Sequence, residues 1–245
     1  MDDIIIGRNS VLEALDGNRT FRKICLTEGK KVGTLLRIYN KAKEQNIPVQ
    51  DVSDAQLSRL GGDDHHQGVV AYISPVAFVD LTELVEAALQ TERSPLFVLP
   101  DGVEDVHNLG AIIRSAECAG VRGILLPKRH AAPINQTVSK TSAGALEHMP
   151  IAQIGNVVQT LNTLKKQGFW IVGADMDGEI DYFHADFNMP IVLVVGNEGK
   201  GLSRLTRENC DILVRIPMFG KVNSLNASVA ASLLIYEVLR QRSTR

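Results

Sequence analysis

Six short apolar runs, separated for the most part by helix-length stretches, constrain this chain more than any other feature. They cover residues 96–99, 123–126, 151–154, 170–174, 191–195 and 212–216. Runs this short, rich in β-branched residues and lacking polar alternation, fit strands buried on both faces. Strands alternating with helical patterns argue a mainly parallel sheet covered on both sides, an α/β fold. The helix between two of the runs has both of its stops: Asn156 can cap its start, and Gly168 suits the position after its end.

Residues 1–75 read as a smaller α/β unit. Helical spacing covers 7–15, 32–45 and 53–60, with Ser53 as a cap, and strands are expected at 22–26, 47–52 and 68–73. Gly61-Gly62-Asp63-Asp64-His65-His66 reads as a turn. Residues 76–94, bounded by Pro75 and Pro95 and holding a polar helix at 81–89, read as a connector. The larger domain then spans 95–245.

With 245 residues, 44% apolar and 22% charged, the chain has an ordinary globular composition. A net charge of −2 gives no global basic field to advertise nucleic acid. Basic residues do cluster locally: Arg19, Arg22, Lys23, Lys30 and Lys31; Lys128, Arg129 and His130; Arg240, Arg242 and Arg245. Three scattered cysteines, Cys25, Cys118 and Cys210, offer neither a disulfide framework nor a zinc spacing, which suits a reducing cytoplasm. The acidic start, with three consecutive isoleucines, is not a signal peptide, and no apolar run is long enough for a membrane span.

Polar and glycine-rich sequence gathers at three strand ends. After the first run comes Asn108-Leu-Gly-Ala-Ile-Ile-Arg114, near a helix start, with Asn108 and Arg114 expected on one side of that helix. After the fifth comes Gly196-Asn-Glu-Gly-Lys-Gly201, and after the sixth Pro217-Met-Phe-Gly220 leads to Ser224, Leu225 and Asn226. Loops at the carboxyl edge of an open α/β sheet are where such sheets bind ligands. Familiar alternatives fail. A phosphate-binding P-loop needs Lys where Leu202 stands, and Gly199-x-Gly201 lacks the third glycine of a dinucleotide fingerprint. Asp175, Asp177, Glu179 and Asp181 lack calcium-loop spacing and read as a solvated acidic loop. His65 and His66 beside two aspartates fit a turn better than a metal site.

The three constellations, in this order, resemble the three motifs of the SpoU (TrmH) branch of the SPOUT RNA methyltransferases. The likeness covers about residues 96–242, and residues 1–75 resemble the small substrate-binding domain that precedes the catalytic domain in many members. One departure is Val106, where proline is common in the first motif. The resemblance implies a SPOUT domain with a deep trefoil knot, S-adenosylmethionine (SAM) as cofactor and no metal. It implies methyl transfer to a ribose 2′-OH of RNA, a guanosine of 23S rRNA above others; tRNA and a non-catalytic RNA-binding role are the rival readings. It also implies a homodimer formed through the knot region, in keeping with the broadly apolar run 227–239, and no part for DNA or membrane. Carried over by motif position, the implied catalytic residues are Arg114, Asn108, Glu198, Ser224 and Asn226. The implied cofactor contacts are Gly196, Asn197, Gly201, Ile216, Met218 and Leu225.

Overall fold

The structure, a computed structural model, describes residues 3–16, 20–61, 66–73, 77–91, 93–221 and 224–243. It divides into two compact units, residues 1–77 with 134–136, and residues 78–133 with 137–245. Of the features expected from sequence, Arg19, most of the turn 61–66, Pro75, part of the run 91–95 and Arg245 lie outside the described residues.

In the smaller unit the order is β1 (Asp3–Ile6), α1 (Arg8–Asp16), β2 (Phe21–Thr27), α2 (Thr34–Glu44), β3 (Val49–Val52), α3 (Asp54–Gly61) and β4 (Val69–Ile73). The strands form one sheet in the order β1-β4-β2-β3. β4 runs antiparallel to both neighbours, and β2 and β3 are parallel. Alternate residues of β4 serve opposite faces, as the two-residue period of a strand requires. Val69, Ala71 and Ile73 pack with Val11 and Leu15 of α1 and with Leu35 and Ile38 of α2. Val70 packs with Cys25, Val52 and Leu57 of α3. Ser53 starts α3 reciprocally with Gln56: Gln56 N donates to Ser53 Oγ at 3.4 Å, and Ser53 N to Gln56 Oε1 at 3.2 Å. β1, made from the isoleucine run, is a strand that the pattern at the start of the chain does not announce.

The expected basic cluster of this unit is spread along β2: Arg22 and Lys23 lie early in the strand and Lys30 and Lys31 follow its end, with four strand steps, about 13 Å, from Lys23 to Thr27. Lys23 Nζ lies 4.7 Å from the centre of the Tyr72 ring, and Lys31 Nζ pairs with Asp51 at 2.6 Å.

The larger unit contains α4 (Leu81–Thr91), β5 (Leu96–Pro100), α5 (Val106–Cys118), β6 (Gly123–Pro127), all but the first residue of α6 (Gln136–Thr141), β7 (Ile151–Ile154), α7 (Val157–Lys166), β8 (Trp170–Ala174), β9 (Ile180–Asp181), β10 (Ile191–Val195), α8 (Arg204–Glu208), β11 (Ile212–Arg215) and α9 (Ala227–Ser243). Its seven strands lie in the order β7-β6-β5-β10-β8-β11-β9, every pairing parallel. All six apolar runs are strands of this sheet. The stretch 76–94 is more than a connector, because Leu84, Val85 and Ala88 of α4 are buried with Phe97, Leu125, Leu161 and Val192. Asn156 Oδ1 accepts from Gln159 N at 3.0 Å to open α7, and Gly168 follows its end with φ 92°.

The strand order fixes where a ligand can sit. From β5 the chain steps outward through β6 and β7, then crosses to β8 on the other side, and β10 returns to lie between β5 and β8. The loops after β5, β8, β10 and β11 therefore meet at one carboxyl edge, beside the place where the order reverses. The acidic stretch at that edge is not plainly solvated. Arg207 Nε lies 3.4 Å from Asp175 Oδ2, and Arg215 Nε donates to Asp181 Oδ1 at 2.6 Å.

Candidate functional site

Each of the three sequence constellations is held by its own backbone chemistry. Asp105 caps α5, its Oδ1 accepting from His107 N at 2.6 Å and Asn108 N at 3.1 Å. That cap places Asn108 in the first turn, where it is buried. The loop after β10 is laced by Asn197. Its Nδ2 donates to Gly102 O at 2.9 Å, its Oδ1 accepts from Gly199 N at 2.9 Å, and its backbone exchanges two hydrogen bonds with Gly201. Asn226 opens α9, its Oδ1 accepting from Ser228 N at 2.9 Å and Val229 N at 3.3 Å.

These loops converge on one carboxylate. Glu198 Oε1 accepts from Asn108 Nδ2 at 2.7 Å, from Ala227 N at 3.3 Å and, in a short contact, from Asn226 Nδ2. Asn226 Nδ2 also donates to Asn108 Oδ1 at 2.8 Å. The orientation of the Asn226 amide is forced: the helix N–H groups need its oxygen, so its nitrogen must face the acid. Capping the last helix and binding Glu198 are thus one residue's two tasks, not rival explanations of it. No described donor engages Glu198 Oε2.

A cavity of about 230 Å³ opens beside this network. Gly196, Asn197, Gly201, Ile216, Met218 and Leu225 all line it, and so do Glu198 and Ser224. Asn108 and Asn226 stand behind the wall, joined to it through Glu198. Arg114 does not join them. It is exposed, makes no hydrogen bond or ion pair to a described residue, and is absent from the lining. The expectation that Asn108 and Arg114 share a side of α5 fails on geometry, since six residues at 100° each leave them about 120° apart around the axis.

Asp175, Asp177 and Arg207 also line the cavity; the sequence reading takes the two aspartates for a solvated loop and passes over Arg207. Arg207 lies within 3.4 Å of Asp175 and 3.5 Å of Asp177 and links the two carboxylates across the rim. Nearby, burial pushes the Cys210 thiol up to about 12, so it stays protonated and is no nucleophile. Among the described residues no group of three or more His, Cys, Asp or Glu is placed to hold a metal ion. His66 is buried in its turn, its Nδ1 accepting from Gly68 N at 3.0 Å and its Nε2 lying 3.1 Å from Ser58 Oγ; His65 is outside the described residues.

Known proteins share both sequence and fold with this chain. Residues 4–79 match the family described as RNA 2′-O ribose methyltransferase substrate binding, and residues 95–236 match the SpoU rRNA Methylase family. A Bacillus subtilis protein, YacO, assigned to the TrmH family of tRNA/rRNA methyltransferases, is 43% identical over 241 residues, covering 98% of this chain and 96% of its own length. The SpoU methyltransferase AviRb of Streptomyces viridochromogenes, solved in complex with the cofactor AdoMet, superposes with a TM-score of 0.64 at 26% identity, covering 100% of this chain and 92% of that one. An AdoMet-bound rRNA methyltransferase from Sinorhizobium meliloti gives a TM-score of 0.62 at 26% identity, over 97% of this chain and 86% of that one. With both of its units matched, the chain belongs to the SpoU rRNA methylase family of RNA methyltransferases.

Proposed function

We propose that this protein transfers the methyl group of SAM to a ribose 2′-hydroxyl of RNA, with a guanosine of 23S rRNA, the target of RlmB-type enzymes, as the favoured acceptor. The observation that carries the reading is the convergence of three loops, distant in sequence, on Glu198 at the wall of one cavity. The lining fits the cofactor. Ile216, Leu225 and Ala227 offer apolar surface to an adenine ring, and Asp175 and Asp177 offer acceptors to hydroxyl or ammonium groups. Bound there, SAM supplies a sulfonium methyl that is already electrophilic.

The protein's own task is the nucleophile, a hydroxyl that must be aligned and must lose its proton as it attacks. Asn108, Ser224 and Asn226 are neutral hydrogen-bonding groups suited to fixing the ribose, and Glu198 holds Asn108 and Asn226 in register. Arg114 acts from the RNA side. A guanidinium with a pKa above about 12 is a poor base, so its role is to hold a neighbouring phosphate and stabilise charge developing on the 2′-oxygen. In the same reading the chain is knotted at the β10–β11 loops, works in the cytoplasm, and pairs into a homodimer with the site near the interface. A tRNA acceptor is the second reading, since the designation of the B. subtilis relative names tRNA and rRNA alike.

The test is transfer of labelled methyl from SAM to separated 23S rRNA and tRNA that lack their own modifications. Label at a ribose of 23S rRNA is expected. Arg114→Ala should cut the rate by roughly 100-fold or more with SAM affinity nearly unchanged. Label on tRNA alone would move the substrate and keep the chemistry; full activity of Arg114→Ala would remove that residue from it. A protein that binds no SAM would be an RNA-binding protein instead.

A further inference from the structure

We infer that Phe219 is a stacking platform for an unpaired RNA base next to the nucleotide that receives the methyl group; this rests on the RNA methyltransferase reading above. Phe219 is 98% exposed, whereas no other large apolar side chain among the described residues exceeds 65%. The fold gains nothing from a phenyl ring held in water, so its surface is available to something else. Its place narrows what that is. Phe219 directly follows Met218, which lines the cavity, and the same loop returns to the cavity at Ser224. Any ribose delivered to this cavity brings its neighbouring bases to the cavity's rim.

The chemistry around the ring favours a nucleic acid over a second copy of the chain. Gly220 and Lys221 beside it are exposed. An aromatic face with a lysine two residues away suits a base and its phosphate, whereas charge is depleted at the centre of protein interfaces. The surface that suits a second copy is elsewhere, on α9, where Val229, Leu233 and Tyr236 are 46%, 39% and 47% exposed along one stripe. Every base has a π face, and single-stranded RNA is commonly read by splaying bases onto aromatic side chains. Phe219 therefore contributes RNA affinity and leaves the cofactor's affinity alone.

The experiment compares the wild type with Phe219→Ala, Phe219→Leu and Phe219→Trp. Its readouts are steady-state methyl transfer to in vitro transcribed 23S rRNA and tRNA, SAM affinity by calorimetry, and association state by sedimentation. Stacking predicts that the alanine and leucine variants raise KM for the RNA about 5- to 100-fold. The tryptophan variant should stay within about threefold of wild type, with SAM affinity and sedimentation unchanged throughout. Leucine performing as well as tryptophan would mean plain apolar packing and would overturn the inference. So would an unchanged alanine variant, or one whose sedimentation shifts, since the ring would then be a contact between copies. If the wild type transfers methyl to neither RNA, the reading of 23S rRNA or tRNA as acceptor fails, a result separate from any difference among the variants.

Discussion

Gly196 has no room for a side chain. A Cβ there would overlap the carbonyl group of Gly201 and sit 2.5 Å from the Leu202 nitrogen, and neither backbone group can swing aside. Gly201 poses a different constraint: its φ is 65°, a left-handed conformation, with nothing within 4 Å of where a Cβ would stand. Gly196→Ala should displace the cavity wall at a cost of about 1–3 kcal/mol or more and weaken SAM binding tenfold or more. Gly201→Ala should cost about 1–2 kcal/mol in backbone strain and weaken SAM binding less than Gly196→Ala does. Titration calorimetry with paired thermal melts checks both, and equal SAM affinities would dissociate the close crossing from the cofactor site. Much of the site at this scale was legible only through family likeness. Asn108 and Glu198 are 90 positions apart and Asn226 and Asn108 are 118 apart, and no spacing rule joins residues so far separated. Arg207 carried no motif, and Asp175 and Asp177 read only as part of a solvated acidic loop, so no local signal tied the three to the cavity.

At the scale of the element, α9 is fastened at both ends. Asn226 ties its start to Glu198. Near its end Glu237 accepts from Arg240 Nε at 2.8 Å and Nη2 at 2.7 Å, and from Gln241 Nε2 at 2.9 Å. Gln241 in turn accepts from Phe187 N at 3.0 Å, and Arg242 Nη2 donates to Met189 O at 2.8 Å, which holds the segment leading into β10. The Arg240 hydrogen bond keeps the Glu237 carboxyl below its ordinary value of 4.5. A carboxyl depressed in the folded state adds stability above its unfolded value and loses it as pH falls through the folded one. The stability gap between wild type and Glu237→Gln should therefore narrow as pH drops from about 6 to about 3; denaturant melts that give a constant gap would contradict it. The sequence shows Arg242 only as terminal charge, because its backbone acceptors lie 53 and 55 residues back. Long strands and capped helices were legible, since their signals are local. β1 and the two-residue β9 were not, because each exists only through a partner strand far along the chain.

The molecule as a whole is two units, each with its own core. α9 is the element whose apolar surface exceeds what its unit covers, since Val229, Leu233 and Tyr236 repeat at intervals of four and three and remain partly exposed. A homodimer at micromolar concentration is expected in sedimentation, and the double change Leu233→Glu with Tyr236→Glu should yield monomers. A wild-type monomer would defeat the proposal. The parallel sheet and its ligand edge were legible in the alternation of runs, whereas the order of its strands was not, because every strand reads as equally buried. That order has a consequence in time. The cavity draws its walls from Ala174 through Ala230, and its supporting acid is held by a donor at Asn226 and another at Ala227. A chain still being synthesised can have β5 to β7 in place and yet own no cofactor site, so occupancy by SAM would mark chains whose last helix has already left the ribosome and docked.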